Sequence, residues 1–206
     1  SHTIAYWPFD EGSGSTVTDD TSGAYTGTIN PLEIWGEGRP NATDDNSVEF
    51  DGTFTNIDTN LEFENTEFTG ELWFKTSSSK TMVLFSDKDG SSWAYRLYID
   101  VGLCFDFTII NGMSVEVITL TSSVMVTDGQ WHFAAVVRGE DYVELWFDGE
   151  KVDERSWSGS VDFTDNTISI GQNPLGANSF QGQIDDLRIS DIARHNEDFM
   201  TGSGIV

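Results

Sequence analysis

The chain has 206 residues and a formal net charge of −25, from 10 Lys and Arg against 35 Asp and Glu. A hydrophobic fraction of 37% and an aromatic fraction of 13% suffice to fill a core, which excludes a disordered chain. The charge excludes a nucleic-acid binder and argues against an anionic membrane surface, since both attract clustered Lys and Arg; it favours solubility and cation binding and fits a marine or halophilic source.

In chain order, strands are predicted at Ile4–Phe9, Val48–Phe50, Leu72–Thr76, Met82–Ser86, Tyr95–Val101, Leu103–Ile109 and Ser114–Thr119. Residues 10–47 read as loop-rich. In Gln130–Val137 the period is two, with Trp131, Phe133, Ala135 and Val137 on one face and His132, Ala134 and Val136 on the other. Tyr142–Phe147 alternates likewise and ends in Asp148-Gly149, a tight hairpin signal, with the return strand from Glu150. Thr167–Ile170 and Gln183–Ser190 complete the set, and a short helix capped by Asn196 is predicted through Phe199. Gly, Asn, Asp and Ser clusters between strands mark an all-β, two-sheet antiparallel jelly-roll β-sandwich, read as a single domain over 1–206. Ser1-His2 reads as a cloning remnant. The one cysteine, Cys104, sits in an apolar strand and reads as a small buried hydrophobe, and no run of about 18 apolar residues suggests membrane insertion.

Four blocks carry a family resemblance: Tyr6-Trp7-Pro8-Phe9-Asp10-Glu11-Gly12 with Asp20-Thr21-Ser22-Gly23 and Gly27-Thr28-Ile29; Ser47-Val48-Glu49-Phe50-Asp51-Gly52; Asp128-Gly129-Gln130-Trp131-His132-Phe133 with Leu145-Trp146-Phe147-Asp148-Gly149; and Ile170-Gly171-Gln172-Asn173 with Phe180-Gln181-Gly182-Gln183-Ile184-Asp185-Asp186-Leu187-Arg188-Ile189. In this order they resemble the laminin-G-like, concanavalin A-like domains of bacterial secreted and surface proteins. The resemblance implies two sheets of about six or seven strands packed face to face, with the first and last strands adjacent. It implies no single function, because lectins, adhesion modules and glycan-cleaving enzymes share the fold.

The acidic runs Glu140–Glu144, Asp148-Gly149-Glu150 and Asp153-Glu154 do not supply the Glu and Asp alternation within one strand that a retaining glycosidase needs to hold two carboxyl groups about 5–5.5 Å apart. Lyase chemistry would want Arg, Gln, His and Tyr facing a groove, and no strand concentrates them. Strict alternation places Asp185 beside Leu187 and Ile189, and Asp186 in an exposed pair with Arg188. A core-facing carboxylate demands a partner. One reading is a structural Ca²⁺ held by Asp185 with Asp10 or Asp20; the other is a carboxylate accepting backbone N–H groups. A ligand site on the rim combines Asp87, Asp89, Trp93, Asn111 and Asn173, since sugar rings stack on aromatic faces. Trp7, Trp73, Trp131 and Trp146 read as core or sheet-surface packing. The expectation is a non-catalytic glycan-binding or adhesion module of a larger exported or cell-surface protein, partnered by a glycosylated surface and by neighbouring domains. A glycoside hydrolase or polysaccharide lyase, and a structural spacer, are the alternatives.

Overall fold

The structure, a computed structural model, describes residues 2–31, 34–40, 46–62, 67–88, 95–100, 102–111, 114–158, 167–173 and 176–200, with backbone only at 88, 105–111 and 114–117. The strands are β1 Thr3–Trp7, β2 Thr16–Thr18, β3 Thr26–Asn30, β4 Trp35–Glu37, β5 Asn46–Asp51 and β6 Asn56–Glu62. They continue as β7 Phe68–Lys75, β8 Met82–Lys88, β9 Tyr95–Ile99, β10 Leu103–Asn111 and β11 Ser114–Thr121. The last five are β12 Trp131–Arg138, β13 Tyr142–Phe147, β14 Glu150–Ser156, β15 Thr167–Ile170 and β16 Gln181–Ser190. The architecture is the expected all-β jelly-roll sandwich.

The front sheet runs β14-β13-β12-β7-β16-β5-β4, and the back sheet β11-β10-β9-β8-β15-β6-β3-β2. Strand β16 organises the front sheet. One edge pairs with β7; the other pairs with β5 through Gln181–Ile184 and with β1 through Leu187–Ser190. The first and last strands are therefore neighbours, as the resemblance implied.

Alternation sends one side of each sheet into a shared core that includes Trp7, Phe50, Leu72, Phe74, Phe85, Leu97, Val136, Leu145, Ile184 and Leu187. Burying each such side chain is worth about 1.5–3 kcal/mol over leaving it exposed. Trp7 keeps its one donor satisfied by giving Nε1–H to the Tyr25 carbonyl at 2.8 Å. The hairpin at Asp148-Gly149 forms with φ of 47° and 83°, the positive pair that a tight primed turn requires.

Residues 10–47 are less loop-like than their composition suggests, since β2, β3 and β4 lie there. In β3 the inward positions are Gly27 and Ile29, and a Cβ at Gly27 would stand 2.7 Å from both Val17 and Ile57. A glycine filling a core position hides the alternation from a sequence reading. The C-terminal helix is a single 3-10 turn, Asn196–Asp198, with His195 rather than Asn196 at its cap position and no side-chain capping bond. Among the described residues, no helix is long and apolar enough to cross a membrane.

Candidate functional site

The outer face of the front sheet, turned away from the back sheet, falls into three zones. The first is covered. Phe199 and Met200 fold over Phe133, Ala135 and Val137, flanked by Tyr6, Trp73, Tyr142 and Trp146. Polar bonds fasten this cover: Met200 N donates to Glu71 Oε2 at 2.9 Å, Trp73 Nε1 donates to the Met200 carbonyl at 2.9 Å, and Arg188 Nη2 donates to the Asp198 carbonyl at 2.6 Å. Arg188 Nε also donates to Glu71 Oε1 at 2.6 Å. Burial pushes the Glu71 carboxyl up, and Arg188 opposes that shift.

The second zone is a buried charged cluster that strict alternation mispredicts. β16 pairs with β7 at Asp185↔Trp73 and then at Arg188↔Glu71, so two residues of β16 face one of β7. Asp186 adopts φ 52° at this bulge. The extra residue shifts the phase, so Leu187 and Ile189 join the core while Asp185 turns to the outer face beside Trp73. The expected exposed pair of Asp186 with Arg188 does not form: Arg188 is buried against Glu71. Asp186 instead accepts hydrogen bonds from the Tyr6 hydroxyl and from Arg39 Nη2. Arg39 Nε lies 3.5 Å from Asp185 Oδ2, and the guanidinium stacks 4.8 Å from the Trp73 ring centroid. Burial, then Asp186, Asp185 and Asp10, push the Tyr6 hydroxyl pKa well up, so it stays a donor.

The third zone is open. Neighbouring strands bring Trp131, Lys75, Gln183 and Glu49 into one row across β12, β7, β16 and β5. The row forms the floor of a groove of about 900 Å³, walled by Gly36–Gly38, Pro40, Thr76–Ser78, Gly129-Gln130 and Gln181. A Cβ at Gly36 would come within 2.2 Å of Gln183 Nε2, so a larger residue there would displace that amide. That amide donates to Ser47 Oγ at 3.0 Å and to the Glu37 carbonyl at 3.1 Å. The half-buried Trp131 has Lys75 Nζ 5.8 Å from its ring centroid. Asp51 closes one end. Burial would raise its carboxyl, but N–H bonds from Thr53, Phe54 and Thr55 and the Thr53 hydroxyl outweigh burial and hold it well below the usual carboxylate range.

The wall near Gln130 is braced by His132. Its Nδ1 is 2.8 Å from Asp148 Oδ2 and its Nε2 is 3.0 Å from Asp128 Oδ1, while its ring stacks 4.8 Å from Phe147. The bond to Asp148, joined by that to Asp128, holds the imidazole above its ordinary range against the opposing effect of burial.

The residues expected to hold calcium have other engagements. Asp185 faces Arg39. Asp10 accepts from Asn46 N at 3.3 Å. Asp20 is exposed, and its backbone N–H donates to the Tyr6 carbonyl at 2.8 Å. The carboxylate that ties this loop to β1 is the neighbouring Asp19, which accepts from Tyr6 N at 3.0 Å and from Thr21 and Ser22. Burial opposes these bonds, yet they leave its carboxyl lowered. Among the described residues, no group of three or more His, Cys, Asp or Glu side chains could hold a metal ion.

On the expected rim, Asp87 is buried and accepts from Tyr95 N at 2.7 Å, while Asn173 Oδ1 accepts from Ala177 N at 2.8 Å. Asp87 thus ties β8 to the start of β9, and Asn173 braces its own turn. Asp89 and Trp93 lie outside the described residues, and Asn111 ends β10 opposite Ser114. Sequence reasoning missed the groove because Trp131 was read as packing. Its placement one residue after Gly129-Gln130, at the mouth of a strand, was the available signal.

No curated protein matches the chain. Among solved structures, domain 4 of AbnA, a GH43 extracellular arabinanase from Geobacillus stearothermophilus, in complex with arabinotriose, superposes with TM-score 0.73 at 19% identity, covering 95% of each chain. The receptor-binding domain of botulinum neurotoxin D gives 0.70 at 15% identity, over 96% of this chain and 51% of that one. The binding domain of Paraclostridial Mosquitocidal Protein 1 gives 0.74 at 12% identity, over 95% and 50%. The chain thus spans about half the length of the two toxin domains, and identities this low speak for the fold alone. Residues 44–198 match the Laminin_G_3 family, so the chain belongs to the concanavalin A-like lectin/glucanases superfamily.

Proposed function

We propose that the chain is a non-catalytic glycan-binding module that holds a short oligosaccharide in the front-sheet groove. The observation that carries this reading is the row of Trp131, Lys75, Gln183 and Glu49 on the open floor. An aromatic face offers a stacking surface for the C–H face of a sugar. Around it, amides, hydroxyls and carboxylates supply the few convergent polar groups that orient a ligand. The row crosses three strand spacings, about 14 Å, which suits several sugar units. The likeness to a domain solved with arabinotriose supports this reading, as does the likeness to toxin binding domains. Export or surface display within a larger protein belongs to the same proposal.

Titration of tryptophan fluorescence with arabinotriose, laminarin, polygalacturonate and alginate tests the reading. At least one should bind saturably, and Trp131→Ala should weaken it by about tenfold or more, the worth of one stacked ring. Saturable binding that Trp131→Ala leaves intact would move the site elsewhere, and sugar release would establish an enzyme instead.

A further inference from the structure

Lys75 is the unusual residue of the groove. The protein has four lysines against 35 carboxylates. Several other described cations of the front sheet and its loops have carboxylate partners: Arg39 has Asp185 and Asp186, Lys151 has Glu144 and Glu154, Arg155 has Asp153, and Arg188 has Glu71, while Arg138 stacks on Trp157 and Arg194 donates to Ser190 and Thr3. Lys75 is half-buried in the floor, between Trp131 and Gln183, and among the described residues it makes no ion pair; its ammonium lies 5.8 Å from the Trp131 ring centroid. In so acidic a molecule, a groove cation that makes no ion pair among the described residues is a specific local arrangement.

Resting on the glycan-binding reading above, we infer that the groove selects a glycan bearing an anionic substituent, which Lys75 receives while the sugar ring stacks on Trp131. The groove is polarised to suit. Glu49 lies across Gln183 from Lys75, two strand spacings or about 10 Å away, and Glu37 belongs to β4 beyond it. Those carboxylates accept hydroxyl hydrogens at the far end. Asp51 is engaged by its own turn. Gln130, Ser77 and Ser78 surround the Lys75 end and add neutral donors. The −25 net charge repels polyanions at long range, so capture of an acidic glycan depends on contacts inside the groove rather than on diffuse attraction.

An anionic substituent is either a uronate carboxylate or a sulfate ester, and both ask the same of an ammonium group. Calorimetric titration of the full chain with trigalacturonate, 6-O-sulfated galactotriose and neutral galactotriose separates the sources. At least one acidic trisaccharide should bind tighter than the neutral one. Lys75→Met keeps the stem against Trp131 and should cut that ratio about tenfold, the worth of a charge-assisted hydrogen bond, whereas Lys75→Arg should retain it. Melting curves confirm that both variants fold. Neutral galactotriose bound as tightly as both acidic sugars, or an unchanged ratio in Lys75→Met, overturns the inference while the groove reading stands. Failure of all three sugars and of the wider glycan panel overturns both.

Discussion

Replacing Arg39 by Met tests how the groove wall is built. The residue sits between Gly38 and Pro40, which line the groove, and reaches inward to Asp186 and Asp185. Its side chain is 15% exposed, and those of Asp185 and Asp186 are 0% and 7% exposed. Solvent screening is therefore slight, and removing one partner of a buried pair costs about 3–5 kcal/mol because the remaining charge is left uncompensated. In a protein of this size about 1 kcal/mol moves Tm by roughly 2–4 °C, so Arg39→Met should lower it by about 6–20 °C. The methionine preserves much of the contact with Trp73, so the loss reports charge rather than packing. Adding Asp185→Asn and Asp186→Asn to Arg39→Met should restore part of the loss, since neutral amides need no counter-charge. Scanning calorimetry reads both. A fall below about 2 °C, or a triple variant no more stable than the single one, would refute the idea that the guanidinium neutralises this cluster.

The His132 clamp gives a pH dependence with a definite sign. Both ring nitrogens face carboxylates, so only the imidazolium donates to both, and its folded pKa lies above the usual 6.5. The clamp's contribution is fully present below the unfolded pKa and is lost as pH rises through the folded one. The Tm advantage over His132→Gln should accordingly shrink toward alkaline pH, and an advantage that instead grows would contradict the clamp. Calcium remains a proposal that melting decides. An ion bridging Asp185 to Asp10 or Asp20 requires chelator to lower Tm, with rescue by Ca²⁺ but not Mg²⁺ at matched ionic strength; neutralisation by Arg39 alone requires an unchanged curve.

Local pattern determined much of this protein. Period-two runs named most strands, Asp148-Gly149 marked the hairpin, and the apolar positions of Gln183–Ser190 marked the last strand as packing on the core, while its place beside the first came from the family resemblance. These features depend on backbone geometry within a few residues, which a sequence displays directly. The functional face depended on tertiary structure. One bulged residue at Asp186 reversed the phase of Asp185, and no turn signal in the strand announces the positive φ at Asp186. The counter-charge came from Arg39, 147 residues away from Asp186 in sequence, on a short strand-loop excursion that alternation does not mark. Trp131 and Phe133 share a face, yet Phe133 is covered by Phe199 while Trp131 opens on the groove. Periodicity assigns a side chain to a face of its sheet. Whether that face is covered, and by which charge it is answered, is set only when distant segments pack against it.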